Sequence, residues 1–116
     1  MALLVFGSLL TPALEVAERL DATVYDMRFV KPLDSEAILA AAGEHGLIVT
    51  IEENVIAGGA GSGVGELLAA SGMRPSLLHL GIPDHFIEHG TPGELLAECG
   101  LDAEGIEASI RRRLGR

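Results

Sequence analysis

The sequence is poor in cysteine, aromatic residues and basic charge. Of its 116 residues one is cysteine, 3% are aromatic and none is tryptophan. One cysteine excludes an internal disulfide, which fits a reducing compartment, and we expect a cytoplasmic protein. No charge-free stretch approaches the roughly 18 residues of a membrane-spanning helix, so no membrane partner is expected. The 48% of hydrophobic residues suits one folded domain over positions 1–116.

The few basic residues are concentrated at the C-terminus. Four of the eight Lys and Arg residues lie within positions 111–116, so residues 1–110 carry 4 basic and 17 acidic side chains, a balance of −13. A body this negative repels phosphate backbones, so nucleic acid is not expected as a partner. The basic tail is predicted to end a helix, where cations offset the helix dipole. A docking patch is the alternative.

Short apolar runs alternate with segments of helical period along the whole chain. Strands are predicted at 3–6, 22–30, 47–51 and 77–80. Helices are predicted after the N-caps Thr11, Asp34, Thr91 and Asp102, and around 64–70. This alternation predicts a three-layer α/β/α domain with a mostly parallel sheet and helices on both faces. The chain opens inside a predicted strand, so we expect a fragment of a longer protein.

A glycine-rich segment, GGAGSGVG at 58–65, lies between a predicted strand and a predicted helix. Backbone amides at such a place can hold a phosphate. The spacing fits neither the dinucleotide-binding GxGxxG pattern nor a P-loop, and Ser62 lacks the flanking glycines of a nucleophile elbow. Glu52 and Glu53 would also repel a phosphate nearby. We therefore expect the glycines to allow a close backbone approach to a neighbouring element or a second subunit, with anion binding as the alternative.

Residues 85–89 (HFIEH) carry the letters of an inverted zinc-protease motif. Pro83 and the Gly90-Thr91-Pro92 run leave room for little more than one helical turn, which is too short to present both histidines on one face. We therefore do not expect a zinc site there.

Isolated polar residues also have plain structural explanations. His45 is expected at a helix end, His79 as a satisfied residue in a strand, and Cys99 as a small buried side chain. Glu52 and Glu53 follow a strand, where open α/β sheets bind ligands, but no nucleophile, base or metal partner accompanies them. We assign no catalytic, cofactor-binding or metal-binding residue.

Several segments together resemble one enzyme family. Residues 26–34 (DMRFVKPLD) resemble the segment that opens the first helix crossover of the C-terminal domain in transketolase-like enzymes. Residues 49–54 (VTIEEN) and 58–64 (GGAGSGV) are similar to the glycine loop of that domain, in the form typical of the 1-deoxy-D-xylulose-5-phosphate synthase family. The closing residues 81–90 (GIPDHFIEHG) and 100–102 (GLD) also resemble that family. The similarity covers about residues 4–114.

The resemblance implies a C-terminal domain that lacks the cofactor-binding domains. Enzymes of this family join pyruvate and glyceraldehyde 3-phosphate and release carbon dioxide, using thiamine diphosphate and magnesium, and they are homodimers. Their product feeds isoprenoid and thiamine biosynthesis. The resemblance also implies a mixed sheet whose first strand runs opposite to the others. No cofactor is expected on this fragment, which should be inactive alone.

We expect the contacts with the missing domains or the second subunit at Glu52 and Glu53, which we call the acidic pair, and at the glycine-rich segment 58–65. The candidate residues are Glu52, Glu53, Asn54, Gly58, Gly59, Gly61, Ser62 and Gly63. Two other functions remain open: a small-molecule regulatory module that uses the crevice near Glu53, and the equivalent domain of another thiamine diphosphate enzyme, such as a 2-oxoacid dehydrogenase β subunit.

Overall fold

The computed structural model describes residues 1–27, 33–55, 59–82 and 96–115, with the backbone alone for 54 and 55. In chain order, its strands are β1 (Ala2–Phe6), β2 (Thr23–Met27), β3 (Leu47–Val55) and β4 (Ser76–Ile82). Its complete helices are α1 (Leu10–Leu20), α2 (Ser35–Glu44), α3 (Ala60–Ala70) and α4 (Ala103–Leu114). The predicted alternation of strands and helices is confirmed over these residues.

The four described strands form one parallel sheet in the order β2-β1-β3-β4. Strand β1 pairs with β2 from Ala2 opposite Thr23 to Phe6 opposite Met27, and with β3 from Ala2 opposite Ile48 to Phe6 opposite Glu52. The α/β class is confirmed, but the reversed first strand is wrong. Helix α1 lies between β1 and β2, and a helical crossover of this kind joins parallel strands.

Two apolar cores lie on opposite faces of the sheet because neighbouring residues of a strand point in opposite directions. Leu3 and Val5 of β1 pack with α1 and α4, and Leu4 and Phe6 pack with α2 and α3. All five residues of β1 are buried, as expected of a central strand covered on both faces. The three layers are therefore helices, sheet and helices.

Side-chain caps fix the starts of two helices as predicted. Asp34 Oδ1 accepts from Ala37 N at 3.1 Å, and Asp102 Oδ1 accepts from Gly105 N at 2.9 Å. The predicted cap at Thr11 is wrong, since α1 begins at Leu10 with Leu9 as its N-cap residue and no side-chain cap. Pro12 is then within the first turn, where helix amides lack intrahelical partners and its missing N–H costs nothing.

Gly100 follows a helical stretch at 96–98 and ends it. Its φ of +73° lies in the left-handed region. Leu101 N donates to Leu96 O at 2.7 Å and Gly100 N donates to Ala97 O at 3.1 Å, which is the hydrogen-bond pattern of a Schellman motif. The predicted helix start at Thr91 and the end of the predicted strand at 22–30 lie outside the described residues.

The basic tail forms the last turn of α4, with Arg111, Arg112 and Arg113 near its carboxyl end. Glu107 accepts from Arg111 Nε at 2.8 Å and from Arg19 of α1 at 3.0 Å. These bonds, that to Arg111 first, lower the pKa of Glu107. Arg111 therefore pairs within α4, and Arg19 links α4 to α1. No helix in the described ranges has the length and apolar character needed to cross a membrane.

Candidate functional site

The candidate site lies at the carboxyl edge of the sheet between β1 and β3. From β1 the chain crosses to β2 on one side, whereas β3 lies on the other side of β1. The helices that follow, α1 and α3, cover opposite faces. Open α/β sheets bind ligands at such a switch in strand order.

Glu52 occupies the place where an anionic ligand would meet α3. Its side chain is 1% exposed, and its carboxylate accepts from Ala60 N at 2.7 Å and from Gly61 N at 3.2 Å. These are the first two amides of α3, where a negative charge is favourable because of the helix dipole. The amides that would hold a phosphate therefore already bind the carboxylate of the preceding strand.

Glu53 makes the corresponding contact on the opposite face. Its carboxylate accepts from Ser8 N at 2.8 Å and from the Ser8 hydroxyl. Ser8 lies in the turn between β1 and α1, and Gly7 before it has a φ of +96°. A Cβ at Gly7 would also lie 3.3 Å from Glu53 Oε1. Glu52 and Glu53 lie within β3 rather than after it as predicted, because the strand continues to Val55. The acidic pair thus connects the C-terminal part of β3 to both flanking helix entries.

The glycine-rich segment is largely helical, and α3 begins at Ala60 rather than near Val64. At Gly61 a Cβ would lie 2.7 Å from Thr50 Oγ1 and 2.8 Å from His79 Nδ1. At Gly63 it would lie 3.0 Å from Leu33 Cδ1. The close approach at these two glycines is therefore to neighbouring elements of the same chain, and Gly61 lets α3 lie directly on β3 and β4.

Thr50 and His79 form a polar pair beneath Gly61. Thr50 is fully buried, and its Oγ1 lies 2.6 Å from His79 Nδ1. Burial lowers the pKa of His79, and the negative charge of Glu52 partly opposes this. The prediction of a satisfied histidine in a strand is confirmed. Its partner Thr50 was missed, although a lone hydroxyl within the apolar run of β3 was a signal for it.

The other predicted residues are dispersed. His45 is the C-cap residue of α2, as expected. Cys99 is half-buried rather than buried, and desolvation raises the pKa of its thiol. Gly58, the side chain of Asn54 and the 85–89 motif lie outside the described residues. Within the described ranges, no three His, Cys, Asp or Glu side chains are grouped so that they could hold a metal ion.

The model of the family described as transketolase, C-terminal domain, matches residues 1–106. This chain belongs to that family. The chain is 69% identical over 114 residues to 1-deoxy-D-xylulose-5-phosphate synthase of Chromohalobacter salexigens, and 61% identical over 116 residues to that of Pseudomonas aeruginosa (strain LESB58). These alignments cover 98% and 100% of this chain but 18% of each relative.

A solved structure titled "Split gene transketolase, inactive beta4 tetramer" has the same fold. It superposes with a TM-score of 0.88 at 34% sequence identity, over 98% of this chain and 39% of that chain. The transketolase-like C-terminal fold expected from the motifs is thereby confirmed for this family member.

Replacement of Gly61 by alanine tests the close approach of α3 to the sheet. We expect Gly61→Ala to lower the free energy of unfolding by about 1–3 kcal/mol, because its methyl group overlaps the Thr50–His79 pair. The matched control is Gly65→Ala in the same helix, whose Cβ would meet nothing closer than 3.9 Å. The control should raise stability by about 0.5–1 kcal/mol. Urea unfolding of both variants measures the difference, and equal effects would contradict the packing described.

Replacement of Glu52 by glutamine tests the carboxylate cap. We expect Glu52→Gln to lower the free energy of unfolding by about 2 kcal/mol, because the loss of charge weakens two hydrogen bonds and leaves a buried amide group badly paired. Glu66→Gln is the control, since Glu66 is exposed on the same helix and its replacement should change stability by less than about 0.5 kcal/mol. A Glu52→Gln variant as stable as the control would show that the cap contributes little.

Proposed function

We propose that this chain is the C-terminal domain of a 1-deoxy-D-xylulose-5-phosphate synthase, and that it acts by packing rather than by chemistry. The observation that carries the proposal is that the whole chain aligns with synthases of which it spans only 18%. The parent enzyme would join pyruvate and glyceraldehyde 3-phosphate in the cytoplasm, for isoprenoid and thiamine biosynthesis. The domain would support the homodimer in which the active sites form, and would be inactive alone.

The cofactor of such an enzyme does not fit the residues at the start of α3. Thiamine diphosphate carries a diphosphate, and the N-terminus of α3 is the anion site that the glycine-rich sequence suggests. Glu52 already accepts both of its first amides at 2.7 and 3.2 Å, and its charge would repel a second anion. We therefore assign thiamine diphosphate and Mg²⁺ to the preceding domains and derive no step through them.

We place the contact with those domains or the second subunit at a surface that we call the rim, which comprises Glu53, Gly59, Ser62 and Gly63. These four residues are half-buried in this chain alone, so surface remains there for a partner to cover. Glu52 and Gly61 are buried beneath them and hold the rim in position. Asn54 and Gly58 belong to the same proposed contact by their place in the sequence.

The two other candidate functions have weaker support. A regulatory module for phosphorylated metabolites would need free amides at the α3 N-terminus, and Glu52 accepts the first two. A 2-oxoacid dehydrogenase β subunit would share the domain family. The identities of 69% and 61% to synthases favour the synthase instead.

A charge reversal at the rim tests the proposal in a full-length synthase that carries this domain. Glu53→Lys should weaken the homodimer by about tenfold and lower turnover in parallel, because it places the wrong charge at a complementary contact. Glu36→Lys is the control, since Glu36 is exposed in the first turn of α2. Analytical ultracentrifugation measures the dimer, and pyruvate consumption with glyceraldehyde 3-phosphate measures turnover. The 116-residue chain alone should give none.

Two results would contradict the proposal. The first is a Glu53→Lys enzyme whose dimer and turnover match those of Glu36→Lys. The second is turnover by the isolated chain. Because Glu53→Lys also removes the bonds to Ser8, the thermal midpoint of the variant domain is measured as well. A midpoint close to that of the unmodified chain shows that any loss of dimer comes from the contact itself.

A further inference from the structure

The imidazole of His79 lies between the sheet and the first two turns of α3. The Thr50 side chain is fully buried, and its Oγ1 lies 2.6 Å from Nδ1 of the half-buried His79. A Cβ at Gly61 would lie 2.8 Å from Nδ1, and a Cβ at Gly65, one turn further on, would lie 3.9 Å from Nε2. The ring is therefore part of the surface on which α3 packs.

The hydrogen bond between His79 and Thr50 has to reverse when the imidazole takes up a proton. In the neutral ring with its proton on Nε2, Nδ1 accepts the hydroxyl proton of Thr50. An imidazolium carries a proton on both nitrogens, so Nδ1 can then only donate. The hydroxyl proton of Thr50 must turn away within a fully buried place, where a polar group without a partner is costly.

A positive charge on His79 is also unfavourable against α3. The ring lies beneath Gly61, the second residue of the helix, and the amino-terminal end of a helix carries the positive end of its dipole. Burial lowers the pKa of His79, and the carboxylate of Glu52 partly opposes this. Over the described ranges, Glu52 of β3 is the charged group that acts on the ring, whereas α3 presents Gly61 and Gly65 to it. The site therefore favours the neutral imidazole.

We propose that His79 is a pH-sensitive support for α3, which packs on the sheet while the imidazole is neutral and loosens at its first turns when the imidazole is protonated. Ser62 and Gly63 of the rim belong to those turns. Protonation would therefore also disturb the contact with the rest of the enzyme, a consequence that rests on the proposed function.

The direction of the effect follows from proton binding in the folded and unfolded chains. Because the pKa of His79 is lowered in the folded chain, the unfolded chain binds this proton more readily. The stability that the neutral imidazole provides is therefore present above about pH 6.5, the ordinary histidine pKa, and is lost as the pH falls below it.

Hydrogen–deuterium exchange of a full-length synthase that carries this domain tests the inference at about pH 7.5 and about pH 5.5, a range in which histidines titrate and most carboxylates do not. Rates are corrected for the direct effect of pH on amide exchange. Residues 60–70 should then lose protection by about fivefold at the lower pH, whereas α1 should change by less than about twofold.

Two variants separate His79 from the other titrating groups. His79→Gln keeps a hydrogen-bonding group for Thr50 but does not titrate, so exchange at residues 60–70 should no longer depend on pH. His45→Gln is the matched control, since His45 is the C-cap residue of α2, and it should retain the fivefold loss. His79→Asn replaces the glutamine variant if that variant does not fold.

Each outcome decides for or against the pH-sensitive support. A loss of protection in α3 that His79→Gln removes and His45→Gln retains supports it. Equal protection at both pH values in the unmodified enzyme overturns it, as does a loss that persists without His79. A loss of the same size in α1 also overturns it, because the whole domain then opens. The proposed function stands in every case, since it is judged by dimerisation and turnover.

Discussion

The structure at the carboxyl edge of the sheet depends on one hydrogen-bonded carboxylate, that of Glu52. A carboxylate that is 1% exposed is costly to bury unless donors replace the water it loses. The donors are the first two amides of α3, which themselves lack intrahelical partners. The carboxylate and the two amides therefore satisfy each other's hydrogen-bonding groups, and these two bonds fix the residue at which α3 begins. That start then brings Gly61 onto Thr50 and His79, where no larger residue fits without a shift.

The side chains of the acidic pair occupy the crevice at the switch in strand order. Alternation along β3 sends Glu52 to the face of α3 and Glu53 to the face of α1. The two carboxylates bind the backbone amides of Ala60 and Gly61 on one side and of Ser8 on the other. In many open α/β sheets a ligand occupies this crevice. Here the protein fills it with its own side chains, which is consistent with the packing role that we propose for the domain.

Features set by neighbouring residues could be predicted from the sequence. The alternation of elements and the caps at Asp34 and Asp102 depend on residues within a few positions of each other. The start of α3 could not be predicted this way, because the side chain that caps it belongs to Glu52 of the preceding strand, eight residues before Ala60, and the glycines looked like a loop. The same limit applied to Thr50 and His79, which meet only when β3 and β4 pair. The direction of β1 was wrong because it was taken from the resemblance and not from the crossover after β1.

Amide exchange at the start of α3 tests the role of Glu52 most directly. With the carboxylate bound, the amides of Ala60 and Gly61 should exchange slowly, and their resonances should not move when inorganic phosphate is added. The amide of Thr11 is the internal reference, since it lies in the first turn of α1, whose N-cap residue Leu9 has no side-chain acceptor. Rapid exchange at Ala60 and Gly61, with resonances that shift on adding phosphate, would show an open anion site and contradict the account.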